Sequence, residues 1–262
     1  MLKILVCVKQ VPDVDLMRMD PETGSLIRDG VPAILNPLDA NAMSAAVSVK
    51  ERYGAEISLI TMGPPGAEAV LRECLAVGAD RAVLVTDRAF GNADTLATSY
   101  SICSAAKTLG DYDLIFCGKE TLDGATGQMG SQLAERFDTA QITSALKILE
   151  VDEEKRTITA ERELETGIET VEAALPCLLT MEKKNYPARI PNLKGKLAAK
   201  KAQIIKLGSN DIPGLDKNRI GDPGSPTKVP RMFPPVLPEP GVMVDEGSVQ
   251  ASAAKLLELV GR

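Results

Sequence analysis

Four glycines, Gly118, Gly124, Gly127 and Gly130, punctuate one run of small and polar residues. The run also holds Lys119, Glu120, Asp123, Thr126, Gln128 and Met129. Such a run can hold phosphate: glycine lets backbone N–H groups approach the oxygens, and a helix N-terminus behind it adds positive potential. The spacing is neither GxxxxGK[ST] nor GxGxxG, so it names no particular ligand. An ordinary strand–helix connection with permissive glycines is the other reading. The chain has no histidine, which removes Ser-His and Cys-His nucleophile pairs, imidazole metal ligands and histidine acid–base chemistry. Cys7, Cys74, Cys103, Cys117 and Cys177 show no CxxC spacing, so neither zinc nor an iron–sulfur cluster is expected. Their apolar neighbours predict buried, reduced thiols. No metal site is expected, and redox chemistry belongs on a bound cofactor rather than on side chains.

The elements that must position this run can be read on either side of it. Leu114-Ile115-Phe116-Cys117, between Asp113 and Gly118, reads as an interior strand of a parallel sheet, and Gln132 to Phe137 reads as a helix. Upstream, Lys3–Lys9, Glu56–Met62 and Ala82–Thr86 read as three more strands. A small excursion, with turn clusters at Asp20–Gly24 and Arg28–Gly30, separates the first strand from a helix entry at Asn36-Pro37-Leu38-Asp39. Asp39 is the expected N-cap and Gly54 the helix end. Residues 67–77 and about 95–109 read as further helices, ended by Gly78 and Gly110. The alternation βαβαβαβ predicts a doubly wound, mostly parallel, Rossmann-like α/β sheet, with ligands outside the strand carboxyl ends. The loops carrying Cys7–Lys9, Met62-Gly63-Pro64-Pro65, Phe90 to Thr95 and Gly118 to Gly130 should therefore converge, with Asn36 to Asp39 entering beside them.

The second half changes pattern. Segments 144–151, 157–161 and 168–172 alternate between charged turns and predict an antiparallel hairpin extension, with a separate small β-domain as the alternative. Pro176 to Met181 reads as a last core strand. From Glu182 a basic run, Lys183 to Lys201, reads as a solvated face. Residues 208–241 hold eight of the 17 prolines and predict a long arm, either disordered or lying on another subunit. Residues 249–260 form a terminal helix. The expected organisation is a nucleotide-binding α/β domain over 1–182, a partner-recognition segment over 183–206, and an arm with its helix over 207–262. At 262 residues, with 44% hydrophobic and 25% charged residues, the chain reads as a globular protein that can bury a full core. A net charge of −6 argues against a nucleic-acid partner. No apolar run spans a bilayer, and Met1 to Lys9 is charged too soon for a signal peptide, so no membrane insertion and a cytoplasmic location are expected.

Several stretches together resemble the β subunit of electron transfer flavoproteins over nearly the whole length. They are Val6-Cys7-Val8-Lys9-Gln10-Val11-Pro12-Asp13, Arg28-Asp29-Gly30-Val31, Asn36-Pro37-Leu38-Asp39, Leu75 to Asp80, Cys117 to Gln128 and Tyr186 to Asn192. The resemblance implies a heterodimer with an α subunit, a nucleotide held by Gly118 to Gly130, and partner recognition by Ile190, Pro191 and Asn192. Asn36 and Asp39 are then expected at the ribose or adenine. Met62 to Pro65, Asp87 to Thr98, Leu122-Asp123-Gly124 and Gly224 to Val229 resemble the flavin-bifurcating branch, whose β pocket holds FAD rather than structural AMP. Phe90, Asp94 and Thr95 would then line the flavin, with Thr95 tuning its ring. Glu120, Ala125 and Ser131 depart from the family's common Gln, Asp and Pro. The implied function is an electron-transfer subunit of an NADH-dependent complex linked to acyl-CoA dehydrogenase. FAD takes hydride from NADH, and the electrons divide between ferredoxin or flavodoxin and the α-subunit FAD that serves the dehydrogenase. A conventional carrier with AMP and no NADH chemistry is the first alternative. An adenine-nucleotide sensor is the second.

Overall fold

Apolar runs bounded by turn residues become buried parallel strands, and the segments with helical spacing become the layers that cover them. The computed structural model describes residues 1–13, 16, 18, 19, 26, 27, 31–228, 230 and 241–261. In chain order its elements are β1 (Leu2–Cys7), β2 (Gln10–Pro12), β3 (Arg18–Met19), β4 (Leu26–Ile27), β5 (Ala33–Leu35), α1 (Pro37–Tyr53), β6 (Ala55–Met62), α2 (Glu68–Ala76), β7 (Arg81–Val85) and α3 (Thr95–Lys107). Then come β8 (Leu114–Gly118), α4 (Met129–Phe137), β9 (Ala140–Asp152), β10 (Thr157–Leu164), β11 (Gly167–Ala174), β12 (Cys177–Met181), α5 (Leu193–Lys201), β13 (Ile204–Leu207) and α6 (Val249–Leu259). The turn clusters at Asp20–Gly24 and Arg28–Gly30, and residues 229 and 231–240 of the proline-rich stretch, lie outside the described residues.

Nine strands form one sheet in the order β11-β10-β9-β12-β8-β1-β6-β7-β13. Pairing is parallel from β9 to β13, and antiparallel for β9–β10 and β10–β11. The hairpin segments thus extend the main sheet rather than forming a separate β-domain. β8 shows why the interior strands are apolar throughout. Successive side chains point to opposite faces, so Leu114 and Phe116 pack with Ala42, Met43 and Leu71, while Ile115 and Cys117 pack with Ile102 and Leu133. Both faces are covered, α1 and α2 on one, α3 and α4 on the other. Each large apolar side chain so buried contributes about 2 kcal/mol. All five cysteines are buried free thiols, as expected.

Several expectations change in the structure. Pro37 occupies the first helical position, which suits proline, so Asn36 rather than Asp39 stands at the cap of α1. α4 starts at Met129, not Gln132, which puts Gly130 in its first turn. β9 begins at Ala140 and passes through Ser144 at φ +53°, where its pairing with β12 shifts; its pairing with β10 shifts further along, at Leu146 and Leu149. α5 forms in the basic segment and β13 just after it. The lysines of α5 stay in solvent and only Ala199 is buried, while β13 pairs with the β7 edge. Residues 208–228 do not hang free: Ile212 and Ile220 are buried against the α3 face of the core.

The chain divides into two compact units, Met1–Arg18 with Ile27–Pro230, and Met19–Leu26 with Arg231–Arg262. In the second unit α6 is capped by Ser248, whose hydroxyl accepts from the Ala251 N–H at 3.3 Å. Among the described residues no helix is long and apolar enough to cross a membrane.

Candidate nucleotide site at the strand carboxyl ends

The chain leaves β1 toward α1 on one face of the sheet and leaves the adjacent β8 toward α4 on the other. Two neighbouring parallel strands whose connections diverge open a crevice at their carboxyl ends. α1 braces it. Asp39 in the first turn is 4% exposed, and its two carboxylate oxygens accept from the Lys9 N–H at 2.8 Å and the Gly118 N–H at 2.9 Å. One side chain thus ties the ends of both strands. Burial pushes its carboxyl up to about 7, against the pull of those two N–H groups and of Asn36 and Lys9. Asn36, fully buried, donates from Nδ2 to the Glu120 carbonyl at 2.9 Å and accepts from the Leu122 N–H at 3.3 Å. Both residues expected at the ribose or adenine therefore spend their polar atoms on the loops, holding them in shape. Gly118 is required by this closeness: a Cβ there would lie 2.6 Å from Asp39 Oδ1 and 2.7 Å from Leu38 Cβ.

Above the brace, the Lys9 ammonium bridges the Asp123 carboxylate at 2.6 and 2.8 Å, joining the loops after β1 and β8. Burial works against the charged Asp123, but Lys9 and Thr121 outweigh it and hold its pKa below the usual carboxylate range. Lys119 turns away to Glu182 at 2.7 Å, and that hydrogen bond raises its pKa. Leu122 to Gln128 are exposed, and the turn at Ala125 and Gly127 takes both into the left-handed region, φ +46° and +62°. α4 follows at once, its first N–H groups without intrahelical partners. Gly130 lets this helix start lie against β12, where any Cβ would overlap Thr180 Cγ2.

A second corner forms where β7 leads into α3. Asp94 caps α3, accepting from the Ala97 N–H at 3.0 Å. Its second oxygen accepts from the Thr227 N–H at 3.0 Å, and its own N–H donates to Ser225 Oγ at 2.8 Å. Burial opposes its charge, but these N–H groups hold its pKa below the usual value. Asp87 does likewise, accepting from Ser209 N and Oγ at 3.0 and 2.7 Å; with the Ser209 hydroxyl as main cause its pKa falls to about 2. Thr95, first in α3, donates to Gln128 Oε1 at 3.0 Å and accepts from Gln132 Nε2 at 3.1 Å. The N-termini of α3 and α4 thereby meet. Gln132 Oε1 is buried there with no partner among the described residues.

The expected loops do converge, with distinctions. Asp39 joins Gly118, Asn36 joins Glu120 and Asp123 is tied in through Lys9, while Thr95 reaches Gln128 and Asp94 caps the helix that carries it. Gly63 is tied in by its N–H, which donates to the Val85 carbonyl at 3.1 Å. Cys7 and Phe90 lie beneath, 7% and 5% exposed in the core, and Met62 packs partly against it. Gly124, Thr126, Gly127 and Met129 complete the loop and helix start. At a distance, Ile190 is 93% exposed, Pro191 is half-buried, and Asn192 caps α5 by accepting from the Gly195 N–H at 2.8 Å. Sequence reasoning did not anticipate Ser209 and Gln132. No local signal pointed to Ser209, which is 122 positions from its partner.

Residues 23–211 match the electron transfer flavoprotein domain family. Over 257 residues the chain is 42% identical to an electron transfer flavoprotein subunit beta of Thermoanaerobacterium thermosaccharolyticum, covering 98% of this chain and 97% of that one. Identity and coverage are the same for the caffeyl-CoA reductase-Etf complex subunit CarD of Acetobacterium woodii. Protein FixA of Bradyrhizobium diazoefficiens is 42% identical over 254 residues, 95% of this chain and 88% of that one. With a family model matched over residues 23–211 and relatives 42% identical over nearly its whole length, this chain, with its glycine loop at a doubly wound switch point, is a member of the electron transfer flavoprotein family, of the β-subunit type.

Proposed function

We propose that the chain is the β subunit of an electron-bifurcating electron transfer flavoprotein with FAD at the strand ends. Bound there, FAD would supply hydride acceptance from NADH and release of the electrons along two paths, to ferredoxin or flavodoxin and, through the α-subunit FAD, to an acyl-CoA dehydrogenase. The observation that carries this reading is the junction of α3 and α4 through Thr95, Gln128 and Gln132, beyond the β1–β8 crevice. AMP needs only the crevice. A longer ligand passes the strand ends to this junction, where the partnerless Gln132 Oε1 can accept from it. Gly91, Ala93, Gly124 and Ala125 leave room on the way.

The residues divide the work. Gly118 to Gly130 and the α4 N-terminus receive the phosphates. Asp39 and Asn36 keep the loop shape, Lys9 and Asp123 latch it, and Asp94 with Ser225 and Thr227 holds the α3 start where a flavin ring would lie. The Thr95 hydroxyl, already shared between two amides, is the group positioned to tune that ring. The resemblance to CarD of a caffeyl-CoA reductase-Etf complex favours the bifurcating branch over the conventional one. The braced crevice by itself suits AMP equally, which keeps the conventional carrier as the second reading. An α subunit would cover α6, which buries no residue of its own and exposes Leu256 and Leu257 at 54% each. Ile190 would anchor on the dehydrogenase. Anaerobic NADH titration of the chain purified with its α subunit tests the reading: flavin absorbance should bleach with NADH. No bleaching, with AMP released on denaturation, overturns it in favour of the conventional carrier.

A further inference from the structure

We propose that a second oxyanion site, for the phosphate group of a small ligand, lies between α3, α4 and residues 218–226, separate from the glycine loop. A cavity of about 270 Å³ opens there, lined by Leu96, Tyr100, Arg136, Asn218, Arg219 and Ser225 among others. Two guanidiniums converge on one aromatic ring in it: Arg219 Cζ lies 4.2 Å and Arg136 Cζ 5.4 Å from the Tyr100 ring centroid. The ring itself is fixed, because the Tyr100 hydroxyl accepts from the Asp216 N–H at 3.0 Å.

Among the described residues neither cation has a counter-ion. Arg136 donates from Nε to Ser99 Oγ at 2.8 Å and from Nη2 to the Leu96 carbonyl at 2.9 Å, both neutral acceptors. These bonds hold the fork in place and leave Nη1 over. Arg219 touches the Tyr100 ring, and among the described residues neither arginine has a carboxylate within ion-pair distance. The nearby acids are engaged elsewhere, Asp216 by the Asn218 N–H at 2.9 Å and Asp222 by Lys228 at 3.0 Å. Two like charges meeting in a partly buried cavity repel each other; burial and then the charge of Arg219 accordingly hold the Arg136 pKa below its usual value. An anion relieves both costs.

The donor set selects the anion. Planar forks suit the several oxygens of a phosphate, and Asn218 lines the same wall. The volume is below that of pockets that enclose a drug-sized ligand, so a phosphate or pyrophosphate fits and a whole dinucleotide does not. Leu96 follows Thr95 and Arg136 lies about one α4 turn from Gln132, so the rest of a larger ligand would extend toward the α3–α4 junction. The phosphate can therefore come free in solution or as part of a dinucleotide such as NADH. The site itself requires neither NADH nor bound FAD.

Calorimetric titration of the full chain with inorganic pyrophosphate at low salt tests it. One binding component should weaken about tenfold or more in Arg219→Gln and in Arg136→Gln, as loss of a charge-assisted bond predicts, yet persist in Gly127→Val of the glycine loop. Arg219 is exposed, so its variant should keep the wild-type circular dichroism and melting temperature. Competition by NADH would identify the dinucleotide as the source, and its absence free phosphate, either way with the site retained. Pyrophosphate binding unchanged in both arginine variants, or lost only in Gly127→Val, overturns the proposal.

Discussion

The β1–β8 crevice and the β7–α3 corner lie at the same end of one sheet, yet they are held in opposite ways. The crevice is braced from within the first half of the chain, by Asp39 of α1 and its cap residue Asn36 reaching the backbone of both neighbouring loops. The corner is held from far along the chain, by Ser209, Ser225 and Thr227 closing on Asp87 and Asp94. The difference suggests a division of labour. A brace within the first half of the chain fixes the shape of the crevice, and a clamp from a later segment, with Ser209 and Ser225 buried, fixes the corner beyond it.

The brace should be the more costly to break. Gly118→Val places side-chain atoms where Asp39 and Leu38 already sit, so stability should fall by about 3 kcal/mol in urea denaturation, with loss of copurifying nucleotide. Asp39→Ala leaves two N–H groups without their acceptor and should cost about 2–3 kcal/mol. Asp39→Asn isolates the charge. The folded carboxyl titrates near 7 against about 3.9 when unfolded, so between those values the folded state binds more protons. Its contribution is full below about pH 4 and is lost as pH rises through 7. Wild-type stability minus that of Asp39→Asn should therefore decline across that window; a difference that is flat or rises would contradict the buried-brace picture.

The clamp should respond more gently. Asp94→Ala removes the α3 cap and the hold on Thr227, costing about 1 kcal/mol and speeding proteolytic cleavage between residues 208 and 228. Equal protection of that stretch in wild type and variant would show the clamp to be idle. Smallest of all, Lys9→Met breaks a pair whose side chains are 45% and 27% exposed, so screening limits the effect to under about 1 kcal/mol, smaller still at high salt.

The same contrast explains what the sequence made legible. Crevice and sheet were readable because their signals are local: the Leu114 to Cys117 run, the glycines behind it, and the helix stops at Gly54 and Gly78. The Asp39 brace was half seen. Its place at a helix start was legible, but Pro37 took the first helical position, and no periodicity says that a carboxylate turns inward to two strand ends. β13 was hidden because Ile204 to Leu207 is short and follows a lysine-rich segment, so only its pairing with β7 makes it a strand. The folded course of 208–228 was hidden for the same reason as the clamp. Its order comes from two aspartates more than a hundred positions away, and local composition rich in proline and glycine reports only the absence of a helix or strand.

The central claim is that the site extends beyond the crevice to the Thr95–Gln128–Gln132 junction. Counting flavins in the purified heterodimer tests it most directly. Acid extraction and chromatography should return two FAD per heterodimer and no AMP. One FAD with one AMP would contradict the account and leave the crevice alone as the nucleotide site.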